Sequence, residues 1–221
     1  MQKITRKNLR PFLEKHATKD IILDIGGGHA ENNHSYGDIF PNRHTLDIDP
    51  LRKPDTVGDV HQLPFGDGSF DHILCTEVLE HLHTPQRAID EMHRVLRENG
   101  RLILTTRFVF PIHDAPNDFY RYTKYGLRHL LRAWDIEELV PETNTIVTIA
   151  ALLQRISFQT TMRGGKFTKG VLYLITWCIG HLPTLIKKEF GDIRRKTNET
   201  DILTTGYYVV ATKRASSEVA Q

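Results

Sequence analysis

Apolar positions along the chain alternate between short continuous runs and stripes of helical spacing. Leu9, Phe12 and Leu13 share one face of a helix expected over residues 5–17. Ile21 to Ile25 is a short apolar run that stops at three glycines, the pattern of a buried parallel strand. A short helix through about Phe40 is expected next. Arg43 to Ile48, Thr56 to Gly58, Asp71 to Cys75 and Arg101 to Thr106 then read as strands two to five. The turn-rich Phe65 to Phe70 precedes the fourth. Thr84-Pro85 predicts a capped helix start with proline in its first turn; that helix runs to about Arg97 and stops at Asn99-Gly100. Thr123 to Ala133 reads as a helix, Ile136 to Val140 as a sixth strand, and Tyr207 to Ala211 as the last. Between those two strands lie about sixty apolar, helix-forming residues, a long connection for a compact sheet.

Strands alternating with helices imply an α/β fold: a doubly wound, mostly parallel, seven-stranded sheet with a helical insert before its last strand. A single domain is expected over residues 1–221. Its ligand-binding core spans about 20–106, its acceptor-side loop and helices about 107–203, and its last strand about 205–213. Such sheets bind ligands beyond the carboxyl ends of their strands, so the first place to look is the turn after Ile25.

Composition sharpens this only a little. With 39% hydrophobic and 25% charged residues among 221, the chain is of globular type. Two cysteines, Cys75 and Cys178, exclude a disulfide framework, and their apolar surroundings predict buried free thiols. Met1 to Leu13 carries no secretory pattern, and a cytoplasmic or membrane-associated location is expected. The net charge of +2 hides an asymmetry. Residues 1–145 carry 18 Lys and Arg against 22 Asp and Glu, and residues 146–214 carry 11 against 4.

The turn Asp24-Ile25-Gly26-Gly27-Gly28-His29-Ala30 offers positive φ angles and close backbone approach, which many nucleotide-type ligands use. Acids follow at useful places. Asp47, ending the second strand, can accept from both hydroxyls of a ribose. Asp59-Val60, after the third, offers a carboxylate and an apolar contact for an adenine. Thr76-Glu77-Val78-Leu79-Glu80-His81 follows the fourth and lines the floor of a cleft. Asp49, beside Pro50, suggests a turn role. Glu31 opposes a pyrophosphate, which argues against a dinucleotide.

Taken together, Leu23 to Gly28, Leu46 to Pro50, Gly58-Asp59-Val60 with Leu63-Pro64-Phe65, Ser69-Phe70-Asp71, Glu77 to Leu82 and Glu91 to Leu102 resemble the class I, Rossmann-like S-adenosylmethionine methyltransferases. The type-11 methyltransferase domain is the group they resemble, over roughly residues 20–106. The resemblance implies that Asp24, Gly26 and Gly28 hold the methionine part of S-adenosyl-L-methionine, with Gly27 also in the cofactor-binding turn. It implies that Asp47 binds the ribose with Ile48 against the adenine, that Asp59 meets the adenine amino group with Val60 nearby, and that Thr76 sits close to the sulfonium. Ala30 stands where the family often has a third glycine, and a small adjustment is expected.

The acceptor side is expected in Phe110 to Thr123, where His113, Asp114, Asp118, Arg121 and Tyr122 crowd into a few positions together with two prolines. His113 or Asp114 could act as a general base. Alternatively the loop is structural, with Asp118 paired to Arg121 and Thr123 capping the next helix. His81 is a third candidate on the acceptor side. His81-Leu82-His83 is not read as a metal pair, since no third ligand stands at a useful spacing.

The expected acceptor is a small or lipid-linked molecule. A cofactor-binding domain without catalysis is the alternative. A nucleic-acid methyltransferase is the weaker one, because no aromatic basic stripe is present. Val171 to Ile186 is apolar and bounded by lysines, too short for a span. It is expected to be a lid, core packing, a dimer surface or, over 171–188, a peripheral membrane contact.

Overall fold

A computed structural model describes residues 4–29 and 36–214. The chain resolves into two compact units. One comprises Pro11–Arg107, Asp114–Val140 and the chain from Tyr207 onward; the other comprises Met1–Arg10, Phe108–His113 and Pro141–Gly206.

The first unit is built on a sheet. Its strands are β1 (Ile22–Ile25), β2 (Arg43–Asp47), β3 (Thr56–Val57), β4 (Phe70–Thr76), β5 (Leu96–Arg107) and β6 (Trp134–Pro141), with a last strand, Gly206–Lys213, described below as β9. Their order is β3-β2-β1-β4-β5-β9-β6, the seven strands expected. The pairs β1–β2, β2–β3, β1–β4 and β4–β5 are all parallel. Ile22, Leu23 and Ile25 are buried in β1, as are Ile73 and Leu74 in β4 and Leu102 to Leu104 in β5. A strand buried on both faces needs this continuous apolar run, and each such side chain contributes about 1.5–3 kcal/mol of burial.

Helices α1 (Leu9–Lys15), α2 (Pro85–Val95) and α3 (Lys124–Leu130) accompany the sheet. α1 is shorter than the expected 5–17; its Phe12 ring lies 4.9 Å from that of Tyr208. α2 buries Ala88, Ile89, Met92 and Val95, one stripe of a 3.6-residue period. Thr84 makes no side-chain capping bond, although Pro85 does open the helix. Thr123 does cap α3, its Oγ1 accepting from the Gly126 N–H at 3.0 Å.

Two sequence expectations give way here. Asn99-Gly100 does not end α2: the helix stops at Val95 and the pair lies inside β5. The β4–β5 register shifts between Phe70 and His72, and Asn99 takes a left-handed φ of 61°. A Cβ on Gly100 would sit 2.8 Å from the carbonyl oxygens of both Arg97 and Asp71. The glycine thus answers close strand approach, which looks like a helix stop in sequence. The helix expected after the glycine turn falls partly on residues 30–35, outside the described residues, and 37–39 form a turn. Ala30 and Glu31 lie outside them too.

The second unit contains α4 (Thr145–Gln159), α5 (Gly165–Gly180) and an antiparallel hairpin, β7 (Glu189–Asp192) with β8 (Thr197–Glu199), before β9 begins. The sequence pattern did not reveal the hairpin, whose burial is slight. Asn144 caps α4 by accepting from the Val147 N–H at 2.9 Å. A buried polar set sits at that helix start. Thr143 Oγ1 lies 2.7 Å from Thr148 Oγ1, and Thr205 donates to Glu142 Oε2 at 2.6 Å. The apolar run Val171 to Ile186 is not one helix: α5 stops at Gly180. Among the described residues, no helix is long and apolar enough to cross a membrane.

Both thiols are free, but only Cys75 is buried, where loss of hydration pushes its pKa up. Cys178 is exposed, against the expectation of two buried thiols. It lies on the outward face of α5, which is apolar in sequence yet faces solvent.

Candidate active site

Strand register places the glycine turn. Ile25 pairs with Leu46 on one side and with Cys75 on the other, so Gly26 emerges between Asp47 and Thr76. β2 and β4 leave β1 on opposite sides, which makes this the topological switch point of the sheet. Gly26 has φ +81° and donates to the Leu46 carbonyl at 2.8 Å. A Cβ there would meet Val78 Cγ2 at 2.4 Å. Glycine is therefore required both by the backbone and by the close approach of the segment after β4.

Asp24 lies beneath the turn. It is buried, and its Oδ2 is 2.6 Å from Arg43 Nη1. Burial outweighs the Arg43 cation and pushes its pKa up to about 6. A Cβ on Gly27 would sit 2.5 Å from the same Oδ2, so Asp24 supports the turn from below.

Asp47 ends β2 with 8% exposure. Its Oδ1 accepts the Asp49 N–H at 2.8 Å, and its Oδ2 lies 3.5 Å from Arg52 Nε. Arg52 also reaches the Gly26 carbonyl at 3.4 Å. The next residue, Ile48, is 70% exposed, an apolar side chain held out where a flat ring could rest on it. Asp49 has the turn role expected from its proline, its Oδ1 accepting from Leu51 N at 2.9 Å. Asp55 ties this loop to the glycine turn. Its Oδ1 is 3.1 Å from His29 Nε2, and its Oδ2 accepts from Thr45 N and Oγ1, both at 2.8 Å.

Asp59 is half-exposed after β3. Burial would raise its pKa, but the N–H and Nδ1–H of His61, both on Oδ1 at 2.9 and 2.6 Å, hold it low. Among the described residues, no hydrogen bond reaches the other oxygen. The His61 ring stacks on His83, centroids 4.3 Å apart, and Val60 is buried beside this group in the chain. Thr76 ends β4, paired with Thr105. Glu77 follows with a left-handed φ of 55° and forms an ion pair with the buried Arg107. Its N–H donates to the Thr105 carbonyl at 3.0 Å.

The acceptor-side candidates divide. The side chain of His81 is 20% exposed. Its Nδ1 is 2.6 Å from the Asn117 carbonyl, which can only accept, so Nδ1 carries the proton. Its Nε2 is 3.9 Å from a carboxylate oxygen of the exposed Asp114. Asp118 and Arg121 form a two-pronged pair at 2.6 Å on each arm. Tyr122 is buried, donates to the Leu79 carbonyl at 3.2 Å, and has its pKa pushed up by burial. The Asp118–Arg121 pair and the Thr123 cap are the contacts that the structural alternative for this loop named. Glu80 is fully buried, with its pKa raised by burial, and accepts from Thr106 at 2.8 Å. Its carbonyl takes the N–H groups of Phe119 and Tyr120, docking the loop onto the segment after β4. His113 belongs to the other unit, its ring 5.1 Å from Phe110.

Sequence reasoning found the acids of this site and missed their partners Arg43, Arg52, Asp55, His61 and Arg107. None has a local signature, because each is delivered by register or by a loop returning from elsewhere.

Comparison with known proteins agrees with this geometry. Residues 23–104 match a family described as a methyltransferase domain. A demethylmenaquinone methyltransferase of Renibacterium salmoninarum is 30% identical over 119 residues, which covers 49% of each protein. The chain spans about half the length of the curated relatives it matches. Two solved structures share the fold. One is a Burkholderia thailandensis 1,6-didemethyltoxoflavin-N1-methyltransferase with its acceptor and S-adenosylhomocysteine. It has a TM-score of 0.54 at 13% identity and covers 95% of this chain and 78% of that one. The other is a Haemonchus contortus phosphoethanolamine N-methyltransferase, also with S-adenosylhomocysteine. It has a TM-score of 0.55 at 13% identity, with 95% and 54% covered.

Proposed function

We propose that this chain, whose residues 23–104 form a class I, Rossmann-like methyltransferase domain, transfers a methyl group from S-adenosyl-L-methionine to a small or lipid-linked acceptor. The observation that carries the reading is the set of carboxylates at the switch point. Asp47 and Asp59 stand at the ends of β2 and β3 beside the exposed Ile48, and Asp24 braces the turn from β1. The cofactor presents hydrogen-bond donors and positive charge: ribose hydroxyls, an adenine amine, an ammonium and a sulfonium. Acceptor carboxylates suit all of these, and they would repel the pyrophosphate of a dinucleotide.

When bound, the cofactor supplies an electrophilic methyl group. The protein's part is to bind and align. Asp47 would hold the ribose and Asp59 the adenine amine, with His61 fixing which Asp59 oxygen faces out. Gly26 and Gly27 give room at the turn, and Thr76 stands at the end of β4. An acceptor that is already nucleophilic needs mainly alignment. Where a proton must leave, His81 is the group favoured by geometry, because its Nδ1 is committed to a carbonyl and its Nε2 stands 3.9 Å from Asp114.

The acceptors named for the three related proteins differ, so none is carried over. Calorimetric titration with S-adenosylmethionine and S-adenosylhomocysteine tests the cofactor. A labelled methyl group transferred into an organic or an aqueous cell extract then tests the acceptor class. Binding without transfer into either fraction would favour the non-catalytic alternative.

A further inference from the structure

The outward face of α5 is apolar. Phe167, Val171, Leu174, Ile175 and Cys178 recur at three- and four-residue spacing and are exposed. Phe167 is 80% exposed, Leu174 61% and Trp177 57%. Thr176, the one buried residue of this helix, lies on the opposite side of the axis, nine residues from Phe167. The apolar surface continues past the helix end in Leu185, which is 66% exposed. A soluble helix normally turns its polar face outward, so this arrangement marks an interaction surface.

Charge says what covers it. From Thr143 to Lys188 the sequence contains no Asp or Glu and six basic residues: Arg155, Arg163, Lys166, Lys169, Lys187 and Lys188. Arg163 and Lys166 are exposed at the start of α5, and Lys187 and Lys188 are exposed beyond its end. An apolar face rimmed by cations, with an aromatic side chain among them, is the chemistry of a helix lying in the surface of an anionic bilayer. A second copy of the chain fits poorly, because an antiparallel two-fold contact along α5 would set the exposed Arg163 and Lys166 of one copy toward Lys187 and Lys188 of the other.

We infer that α5, about 24 Å long from its sixteen residues, docks flat on an anionic membrane surface, with Phe167, Leu174 and Leu185 in the acyl boundary and the lysines at the headgroups. The surface lies within one compact unit and does not depend on the cofactor reading. It places the protein where a lipid-linked acceptor would be presented.

Co-sedimentation of the whole protein with vesicles of phosphatidylcholine and phosphatidylserine (3:1) at low salt tests it. The protein should pellet with these vesicles, stay in the supernatant with phosphatidylcholine alone, and be released as salt is raised. Leu174→Glu should abolish pelleting, and each of Lys187→Ala and Lys188→Ala should weaken it about fivefold. These exposed positions should leave circular dichroism and S-adenosylhomocysteine affinity unchanged, which separates lost docking from lost folding. The inference is overturned if protein that binds S-adenosylhomocysteine ignores the anionic vesicles. It is also overturned if Leu174→Glu still pellets, or if light scattering finds a dimer that Leu174→Glu dissolves.

Discussion

Asp24 shows how a single residue ties fold to site. Its carboxylate is buried against Arg43, and its pKa stands at about 6, above the ordinary range for a free aspartate. The folded state therefore holds the proton more tightly than the unfolded chain does. That contribution to stability is complete below about pH 4 and disappears as pH rises through about 6, amounting to about 2–3 kcal/mol. Denaturant unfolding of wild type and Asp24→Asn should give a stability difference that changes by this amount between pH 4 and 7. A constant difference would mean that Asp24 ionises normally in the fold. On the acceptor side, His81→Ala should slow turnover at least tenfold with cofactor affinity unchanged, if a proton leaves the acceptor. Unchanged turnover in His81→Ala would remove it as the base. The three aspartates were legible because each lies in or just after one of the first three strands, close to the glycine turn in the chain. Arg43 was not: Ile22 is its direct partner in the ladder, and nothing local couples it to Asp24.

At the scale of elements, the sheet was readable because β1, β4 and β5 each carry a short apolar run, and the boundaries were less so. Asn99-Gly100 carries the signature of a helix stop, yet its work is a bulge between β4 and β5 that lets two backbones approach. Gly26 and Val78 lock the β1 turn to the segment after β4. Gly26→Ala should destabilise the protein by about 1–3 kcal/mol and weaken cofactor binding, since strained φ and a side-chain clash combine. Val78→Ala on that background should recover only the clash, as read by the melting midpoint. Thr123→Ala should cost about 1 kcal/mol by removing the α3 cap. The polar set around Thr143, Thr148, Thr205 and Glu142 had no sequence signal, because its members are brought from residues about sixty apart.

For the whole molecule, the long apolar stretch before the last strand carries a helix pair and a hairpin, and it falls in one compact unit with Met1–Arg10 and Phe108–His113. Its bounding lysines were legible in the sequence, but that its apolar face points outward could be read only once α5 was seen to turn Thr176 inward. The acceptor stayed illegible for a physical reason. Methyl transfer asks of the protein chiefly alignment, so few residue types are obligatory on that side. On the cofactor side, Asp47 is the residue on which binding should depend most. Calorimetric titration of wild type and Asp47→Ala with S-adenosylhomocysteine measures it directly. Wild type should bind one equivalent, and Asp47→Ala should bind at least tenfold more weakly, the loss of charge-assisted ribose hydrogen bonds of about 1.5–3 kcal/mol. Equal affinity in the two proteins, or no binding to wild type, would contradict the site.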